Sequence, residues 1–186
     1  LASKGNWDLF VTKCDAQGNF IWATGAGGAS YEEGAGIAVD KNRNIYVTGY
    51  FADSAAFGTQ LITTYGLRDA YLAALDSNGN FKWVTQAGGP VNDAASSVCV
   101  DTSGAIYISG TYKDSCYLGN FILNSTGDAN YFVAKISDQG ALIISGIDSG
   151  DMDFTLYPNP SYGTVSLFFE ENKGPWTVKI INSVGQ

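Results

Sequence analysis

The sequence has no histidine among its 186 residues, so it lacks the side chain most used for proton transfer near neutral pH and for zinc ligation. It also has no apolar run of the roughly 18 or more residues that a transmembrane helix needs. Positive charge is scarce: 10 Lys and Arg stand against 18 Asp and Glu, which gives a net charge of −8. A chain of this charge is repelled by nucleic acid and by anionic lipid. We therefore expect no nucleic-acid partner, no transmembrane segment, no histidine-dependent catalysis, no metal and no cofactor.

Glycine and aromatic residues are abundant instead, with 23 Gly, 11 Tyr, 10 Phe and 4 Trp. The hydrophobic content of 45% is that of a globular domain. Short β-branched and aromatic runs, such as Leu9–Cys14 and Asn44–Tyr50, alternate with turns rich in Asp, Asn and Gly, which adopt positive φ readily. No stretch of about twelve residues has the periodicity of an amphipathic helix, so we predict an all-β fold.

An internal repeat organises most of the chain. Shifted by 61 residues, Asp15–Trp22 aligns with Asp76–Trp83 without a gap, and Ile45–Gly49 aligns with Ile106–Gly110. A fixed period of this size indicates a repeat architecture in which each unit covers an apolar face of its neighbour. The predicted repeat region is 1–146, with units at 6–66 and 67–127 and a partial unit at 128–146.

The strand content of one unit, about four or five short strands linked by hairpins, is that of one blade of a β-propeller. The period exceeds the roughly 40–50 residues of common blades, and the surplus falls in 52–66. Two units and part of a third cannot close a ring of about 4–8 blades. Because Leu1 opens inside a unit, we expect the chain to be incomplete at its N-terminus, with further blades before it; an open arc of units is the alternative.

The second unit resembles the bacterial β-propeller repeats known as SBBP repeats. The resemblance covers roughly 6–142 and is carried by Asp69–Asn80, Trp83, Gly88-Gly89, Val100-Asp101 and Ile106–Gly110. Those repeats occur in long secreted and surface proteins, so the resemblance implies propeller-like blades in such a protein. It implies no single activity, because propellers serve both as binding platforms and as enzyme scaffolds.

The composition changes after the repeat region. An acidic linker is predicted at 147–153, and alternating runs in 154–186 predict the first strands of a small β-sandwich. This last segment contains Tyr-Pro-Asn-Pro at 157–160, in which both prolines fix φ and restrict the residue before them. The motif therefore predicts a rigid extended element followed by a turn, and the simplest alternative is an ordinary turn between domains.

The tail resembles the type A C-terminal sorting domain of the type IX secretion system. The resemblance is carried by Tyr157, Pro158, Asn159, Pro160, Gly163 and Gly185. It implies recognition by the type IX secretion machinery and export to the extracellular space or to an outer-membrane-attached position on the cell surface. It also implies removal of the tail, for which the exposed polar stretch 145–153 is the expected cleavage region. Such domains normally continue for several more strands, so we expect the chain to be incomplete at its C-terminus as well.

Recurrence at 61 residues also separates scaffold from candidate binding residues. Trp22 and Trp83 occupy one repeat position and are predicted to pack between blades. Residues that differ between copies are the candidates for ligand binding. The aromatic ones among them are candidates for stacking on sugars, with core packing as the simpler alternative for each. The ligand-binding candidates are Tyr31, Glu32, Glu33, Tyr50, Arg68, Tyr112 and Lys113.

Two further features have competing interpretations. The segment 76–80, Asp-Ser-Asn-Gly-Asn, resembles half of a calcium loop, but the twelfth position is Ala87 rather than Glu, so we predict a hairpin turn. Cys14, Cys99 and Cys116 align with apolar residues, which favours small buried thiols; a Cys99–Cys116 disulfide is the alternative. Neither feature predicts a metal-binding or catalytic residue.

The function expected from these observations is that of a secreted or cell-surface β-propeller protein, exported by the type IX pathway, that acts as a non-catalytic binding, adhesion or structural module. Its expected ligand is a polysaccharide or a surface protein. Two alternatives remain open: accessory blades of an extracellular hydrolase whose catalytic domain lies elsewhere, and a repeat array that self-assembles through unpaired strand edges.

Overall fold

The computed structural model describes residues 1–125, 130–136, 142–147, 154–157 and 166–169, with side chains in the first two of these ranges. Every regular element in these ranges is a β-strand, which confirms the all-β prediction. Among them there is no helix of the length and hydropathy needed to cross a membrane. The strands are β1 (Leu9–Cys14), β2 (Phe20–Gly28), β3 (Glu32–Val39), β4 (Ile45–Phe51), β5 (Ser54–Phe57), β6 (Gln60–Thr63), β7 (Asp69–Leu75), β8 (Phe81–Ala87), β9 (Ala94–Val100), β10 (Ile106–Tyr112), β11 (Ser115–Leu118), β12 (Phe121–Asn124), β13 (Asn130–Ile136), β14 (Leu142–Ile147), β15 (Phe154–Tyr157) and β16 (Ser166–Phe169).

Three antiparallel sheets follow one another along the chain. Sheet 1 has the order β1-β2-β5-β6, sheet 2 the order β3-β4-β7-β8, and sheet 3 the order β9-β10-β13-β14. Sheets 2 and 3 are successive copies of one four-stranded meander, as propeller-like blades are. β15 and β16 form a separate antiparallel pair.

The sequence repeat and the sheets are out of phase. The unit 6–66 contains β1 and β2 of sheet 1, then β3 and β4 of sheet 2, then the hairpin β5-β6. Each unit therefore ends in the middle of a sheet, where β4 pairs with β7 of the next unit. Neighbouring units are consequently joined by backbone pairing as well as by side-chain packing.

The surplus segment 52–66 forms a hairpin that crosses between sheets. β5-β6 is inserted between two strands of sheet 2, yet β5 pairs with β2 of sheet 1 through Gly27 with Ala56 and Gly28 with Ala55. The hairpin β11-β12 repeats this arrangement, because Tyr117 exchanges two backbone hydrogen bonds of 2.8 and 3.2 Å with Gly88 after β8. We call β5-β6 and β11-β12 the crossing hairpins.

Glycine is required where each crossing hairpin meets the neighbouring sheet. A Cβ at Gly28 would overlap the carbonyl oxygen of Ser54, and a Cβ at Gly89 would overlap that of Ser115. Both obstructing atoms belong to backbone and cannot rotate away. The second glycine of the recurring Ala-Gly-Gly motif is therefore a docking position for the hairpin.

Two apolar clusters hold the three sheets together. Between sheets 1 and 2, the fully buried Phe57 of a crossing hairpin contacts Tyr71 and Phe81, at ring-centroid distances of 4.9 and 5.6 Å. Between sheets 2 and 3, the cluster includes Leu72 of β7 and Phe132 of β13. All seven residues of β7 are buried because sheet 2 is covered on both faces.

The four Asp-initiated turns share one geometry. Asp76 Oδ1 accepts hydrogen bonds of 2.9 Å from the backbone N–H of Asn78 and of Asn80, and its Oδ2 accepts one of 2.8 Å from the Asn80 side-chain amide. Asp15, Asp40 and Asp101 likewise accept backbone hydrogen bonds from the second and fourth residues after them. The hairpin-turn interpretation of 76–80 is thereby confirmed. These turns lie at the same end of the sheets, which we call the turn rim.

The structure confirms the predictions for Trp22, Cys99 and Cys116 but not the one for Cys14. Trp22 packs between sheets as expected: its Nε1–H donates to the Ser77 carbonyl oxygen at 3.1 Å across the junction. Cys99 and Cys116 are buried free thiols, as the alignment predicted, and form no disulfide. The prediction is wrong for Cys14, which is exposed because it lies on the face of sheet 1 that no described sheet covers.

Candidate functional site

The end of the sheets opposite the turn rim carries the candidate site. Strands β1, β3 and β7 begin at this end and β4 ends there, as the antiparallel order requires. The crossing hairpins leave sheet 2 and sheet 3 from this same end, and we call it the crossing rim. It brings together residues that are about 20 to 60 positions apart in the sequence.

One aromatic pair spans the junction between sheets 1 and 2 at the crossing rim. The rings of Trp7 and Tyr31 meet edge to face, with centroids 5.7 Å apart and planes at 86°. Both side chains are exposed, at 62% and 38%. Their backbones form a parallel bridge in which the N–H of Glu32 donates to the Trp7 carbonyl oxygen at 2.8 Å. The pair is therefore held by backbone and not only by ring contact.

A second aromatic group lies beside this pair. The Arg68 guanidinium lies 4.7 Å from the centre of the Tyr50 ring, and the Tyr50 hydroxyl donates to Glu33 Oε2 at 2.9 Å. Burial and the hydrogen bond to Glu33 raise the pKa of Tyr50, and the charge of Tyr31 contributes in the same direction. We call Trp7, Tyr31, Glu33, Tyr50 and Arg68 together the aromatic platform. It presents ring surface together with a hydroxyl, a carboxylate and a guanidinium.

A pair of carboxyl groups lies directly under the Trp7–Tyr31 contact. Asp8 follows Trp7, Glu32 follows Tyr31, and the two carboxyl groups are within hydrogen-bonding reach of each other. Burial, followed by the negative charge of Asp8, raises the pKa of Glu32, whereas the hydrogen bond from Ser3 lowers the pKa of Asp8. In a singly protonated pair, Glu32 is therefore the partner that holds the proton.

The surroundings of this pair supply few other hydrogen-bond donors to the two carboxyl groups. Glu32 Oε2 accepts a hydrogen bond of 2.8 Å from the N–H of Gly28. Asp8 Oδ1 and Glu32 Oε1 are buried and accept none from any other described group. A Cβ at Gly27 would overlap Asp8 Oδ1 and would lie 2.9 Å from Glu32 Oε2. The first glycine of the Ala-Gly-Gly motif thus leaves room for the carboxyl pair.

The repeat places a second carboxyl pair at the next junction. Asp69 and Asp93, which align with Asp8 and Glu32, are 0% and 1% exposed. Asp69 Oδ2 accepts from the Tyr65 backbone N–H at 3.0 Å, and Asp93 Oδ2 accepts from that of Gly89 at 2.7 Å. Burial raises the pKa of each carboxyl to about 6, and the charge of Asp93 contributes to the shift of Asp69. In the third copy Asn130, a neutral residue, takes the place of the aspartate.

The structure brings some of the predicted binding residues together and separates others. Tyr31, Glu33, Tyr50 and Arg68 meet on the aromatic platform, whereas Glu32 is buried beneath it. For Tyr112 the core-packing alternative holds, because it is 3% exposed and belongs to the core between sheets 2 and 3.

Other site predictions have different outcomes. Lys113 reaches the second carboxyl pair through its backbone, since its N–H donates to Asp93 Oδ1 at 3.1 Å. Trp7 was missed although it differs from its repeat counterpart, Arg68, because only Arg68 of the two was taken as a candidate. Of the predicted sorting motif, only Tyr157 is within the described residues, as the last residue of β15. The remaining positions lie outside the described residues: Pro158, Asn159, Pro160, Gly163 and Gly185.

Thiols and carboxyls are the groups in the described part of the chain whose chemistry can be assessed. Within the described ranges, no group of three or more Cys, Asp or Glu side chains is arranged to hold a metal ion. Both buried thiols have pKa values raised by burial, that of Cys99 to about 12, so neither is an activated nucleophile. The carboxyl pairs face into the sheet junctions, where they contact backbone and each other.

Comparison with known proteins agrees with this architecture. The model of the SBBP beta-propeller repeat family matches residues 21–50, from β2 to β4. A WD repeat-containing protein of Acanthamoeba polyphaga mimivirus is 26% identical over 199 residues, covering 83% of this chain and 14% of that protein. Regulatory protein FlaEY of Caulobacter vibrioides is 24% identical over 114 residues, covering 59% of this chain and 12% of that protein. The chain thus spans about one seventh or less of the length of these relatives. With its repeated antiparallel sheets, the chain is a repeat protein of the β-propeller type.

Proposed function

We propose that this chain is a non-catalytic binding module that takes a neutral polysaccharide on its aromatic platform. The observation that carries the proposal is the contiguous group Trp7, Tyr31, Tyr50 and Arg68, whose positions differ between copies of the repeat. A scaffold position recurs because every junction needs it. An exposed position whose residue differs between copies has no such scaffold role and is available for ligand binding.

The chemistry of the platform favours a neutral, hydroxyl-rich ligand. Exposed Trp and Tyr rings offer flat apolar surface with a polar edge, which matches the C–H faces of a pyranose ring. Arg68 and Glu33 each interact with Tyr50, so their charges partly balance, and both retain hydrogen-bonding capacity for hydroxyl groups. The net charge of −8 disfavours an anionic ligand.

Binding can be tested with the full chain on soluble neutral polysaccharides: a β-glucan, an α-glucan, a xylan and a galactomannan. We expect retardation by at least one of them in affinity electrophoresis, and Trp7→Ala lowers that affinity about tenfold, as loss of a central aromatic contact does. Phe20→Ala is the matched control, because Phe20 is 77% exposed but lies at the turn rim. Equal loss in both variants, or no retardation by any of the four, contradicts the proposal.

The proposed location is the outside of the cell, reached through the type IX secretion machinery as partner. The support is the Tyr-Pro-Asn-Pro motif beginning at Tyr157, after the acidic stretch 147–153 and a repeat region similar to secreted β-propeller repeats. Removal of the tail is part of the proposal. The display of a binding module at the surface gives it access to extracellular polysaccharide.

The location can be tested by intact-mass measurement of the mature protein from the culture medium and from the cell surface, with both termini mapped. We expect a C-terminus within 145–153 and no peptide containing Tyr157. A surface or secreted protein that keeps 157–186 contradicts removal of the tail. Recovery only from inside the cell contradicts export.

A further inference from the structure

The carboxyl pair Asp8–Glu32 is connected to the aromatic platform by backbone. Trp7 and Asp8 are consecutive, as are Tyr31 and Glu32, and the parallel bridge joins the two segments at the Glu32 N–H and the Trp7 carbonyl oxygen. A backbone movement that opens this bridge separates the two carboxyls and the two rings above them together. The rings belong to different sheets, so their contact depends on the junction staying closed.

Two carboxyl groups in contact in a buried site cannot both be ionised without strong repulsion. One shared proton removes the repulsion, and the pair contains two buried oxygens, Asp8 Oδ1 and Glu32 Oε1, that accept no hydrogen bond from any other described group. Loss of that proton leaves two negative charges on opposite sides of a sheet junction. Closure of the junction is then opposed at the point where the platform is assembled.

We propose that the Asp8–Glu32 pair is a proton-operated control of the aromatic platform: the protonated pair holds Trp7 against Tyr31 for ligand binding, and its deprotonation loosens that contact. The effect on ligand affinity rests on the proposed polysaccharide-binding function, whereas the effect on the junction itself does not. The controlling residues act on the ligand only through the platform. They are positioning residues and make no contact with the ligand.

The other ionisable groups around the pair do not replace the proton. Lys4 lowers the pKa of Glu32 electrostatically, but this is the smallest of the influences on it, behind burial and the charge of Asp8. On the side of sheet 2, the Tyr71 hydroxyl donates to the Glu33 carbonyl oxygen at 3.1 Å. Burial raises the pKa of Tyr71, and the charges of Glu32 and Glu33 add to the shift. Tyr71 therefore stays neutral and supplies no positive charge.

The second junction repeats the carboxyl pair but has no counterpart of the Trp7–Tyr31 ring contact above it. Asp69–Asp93 has Asp114 and the Cys116 thiol as neighbouring ionisable groups, and Arg68 with Asn92 takes the place of Trp7 with Tyr31 in the bridge above it. Protonation there stabilises the junction between sheets 2 and 3. A change in this pair therefore tests junction stability separately from the Trp7–Tyr31 contact.

The sign of the pH effect follows from the direction of the shift. A raised pKa means that the folded protein binds the proton more tightly than the unfolded chain does. Stability from the shared proton is therefore complete below the ordinary glutamate pKa of about 4.3 and is lost as the pH rises through the higher value of the folded state. Affinity for a ligand that needs the closed platform falls over the same interval.

The experiment follows the full chain from pH 4.5 to pH 8 with three readouts: the carboxyl 13C shift of Glu32, the indole N–H shift of Trp7 and affinity for whichever soluble neutral polysaccharide binds. We expect the Glu32 and Trp7 signals to titrate together, and affinity to fall about tenfold, which corresponds to one pKa unit of coupling. Glu32→Gln keeps a neutral hydrogen-bond donor beside Asp8. In this variant we expect the Trp7 indole N–H shift to stay nearly constant over the range and the affinity to vary less than about twofold. Asp53→Asn, which removes an exposed carboxylate, keeps the wild-type profile.

Each outcome of this experiment either supports or contradicts the proposed control of the platform. A Glu32 carboxyl that titrates at or below about 4.3 overturns it, as does a Glu32→Gln protein with the wild-type pH profile. If no polysaccharide binds at any pH, the polysaccharide-binding function fails, and the joint titration of Glu32 and Trp7 still decides whether the pair controls the platform. A Trp7 shift that titrates in Glu32→Gln as in the wild type contradicts that control.

Discussion

Docking of the first crossing hairpin makes Gly28 the most informative position to change. Gly28→Ala places a Cβ against the Ser54 carbonyl oxygen, so β5 must move away from β2. The fully buried Phe57 then leaves its contacts with Tyr71 and Phe81. Burial of a phenylalanine contributes about 1.5–3 kcal/mol, and each aromatic pair adds about 0.5–1.5 kcal/mol. We expect the variant to lose about 2.5–6 kcal/mol of unfolding free energy.

Urea denaturation followed by circular dichroism measures this loss, and amide hydrogen exchange locates it in β5 and β6. Phe57→Ala alone is expected to cost about 3–5 kcal/mol, but in the Gly28→Ala background it costs less than about 1 kcal/mol because the ring is already displaced. Gly104→Ala is the control: its φ of +91° makes the change costly by about 1–2 kcal/mol, but open space surrounds it and the hairpin stays docked. Additive effects of Gly28→Ala and Phe57→Ala, with hairpin amides still protected, refute the reasoning.

Three further predictions concern the thiols, a tryptophan and the second carboxyl pair. Iodoacetamide is expected to label Cys14 alone in the native protein and to reach Cys99 and Cys116 only after unfolding, as peptide mass mapping can show. Trp22→Phe keeps the ring packing but loses the Nε1–H hydrogen bond across the junction, so urea denaturation should show a loss of about 1 kcal/mol. Asp69→Asn removes a carboxyl whose pKa burial raises to about 6, so calorimetry should find a higher Tm than wild type at pH 8 and little difference at pH 4. A lower Tm at pH 8 contradicts the assigned sign.

Local chemistry made the strands and turns predictable. The Asp76 turn needed only its own side chain and two backbone N–H groups four residues or less away, so the sequence contains all of its determinants. The position of Trp22 between sheets followed from its recurrence. The surplus 52–66 was located but its crossing was not, because the pairing of β5 with β2 depends on tertiary contact with Gly28.

The carboxyl pairs escaped prediction for a different reason. Recurrence at 61 residues was taken as a mark of inert scaffold, yet Asp8, Asp69 and Asn130 recur because every junction builds the same polar contact. For Tyr112, its repeat counterpart Phe51 decides between sugar stacking and core packing, since Phe51 is a core residue at 0% exposure. A residue's copy in the neighbouring unit is therefore the better guide to its burial than its own polarity.

The crossing hairpins also constrain how such a chain can lengthen or shorten in evolution. The hairpin of each unit lies between two strands of one sheet and pairs with the sheet before it, through a strand of the same unit. Because the paired surfaces of hairpin and sheet are the same in every copy, a recombination event can cut at any point within the repeat, provided that it inserts or removes a whole period of 61 residues. A deletion of the four strands of one sheet that spared the hairpin between them would leave the next hairpin without a sheet to pair with. The segment gained or lost in such events is thus the 61-residue period and not the four-stranded sheet.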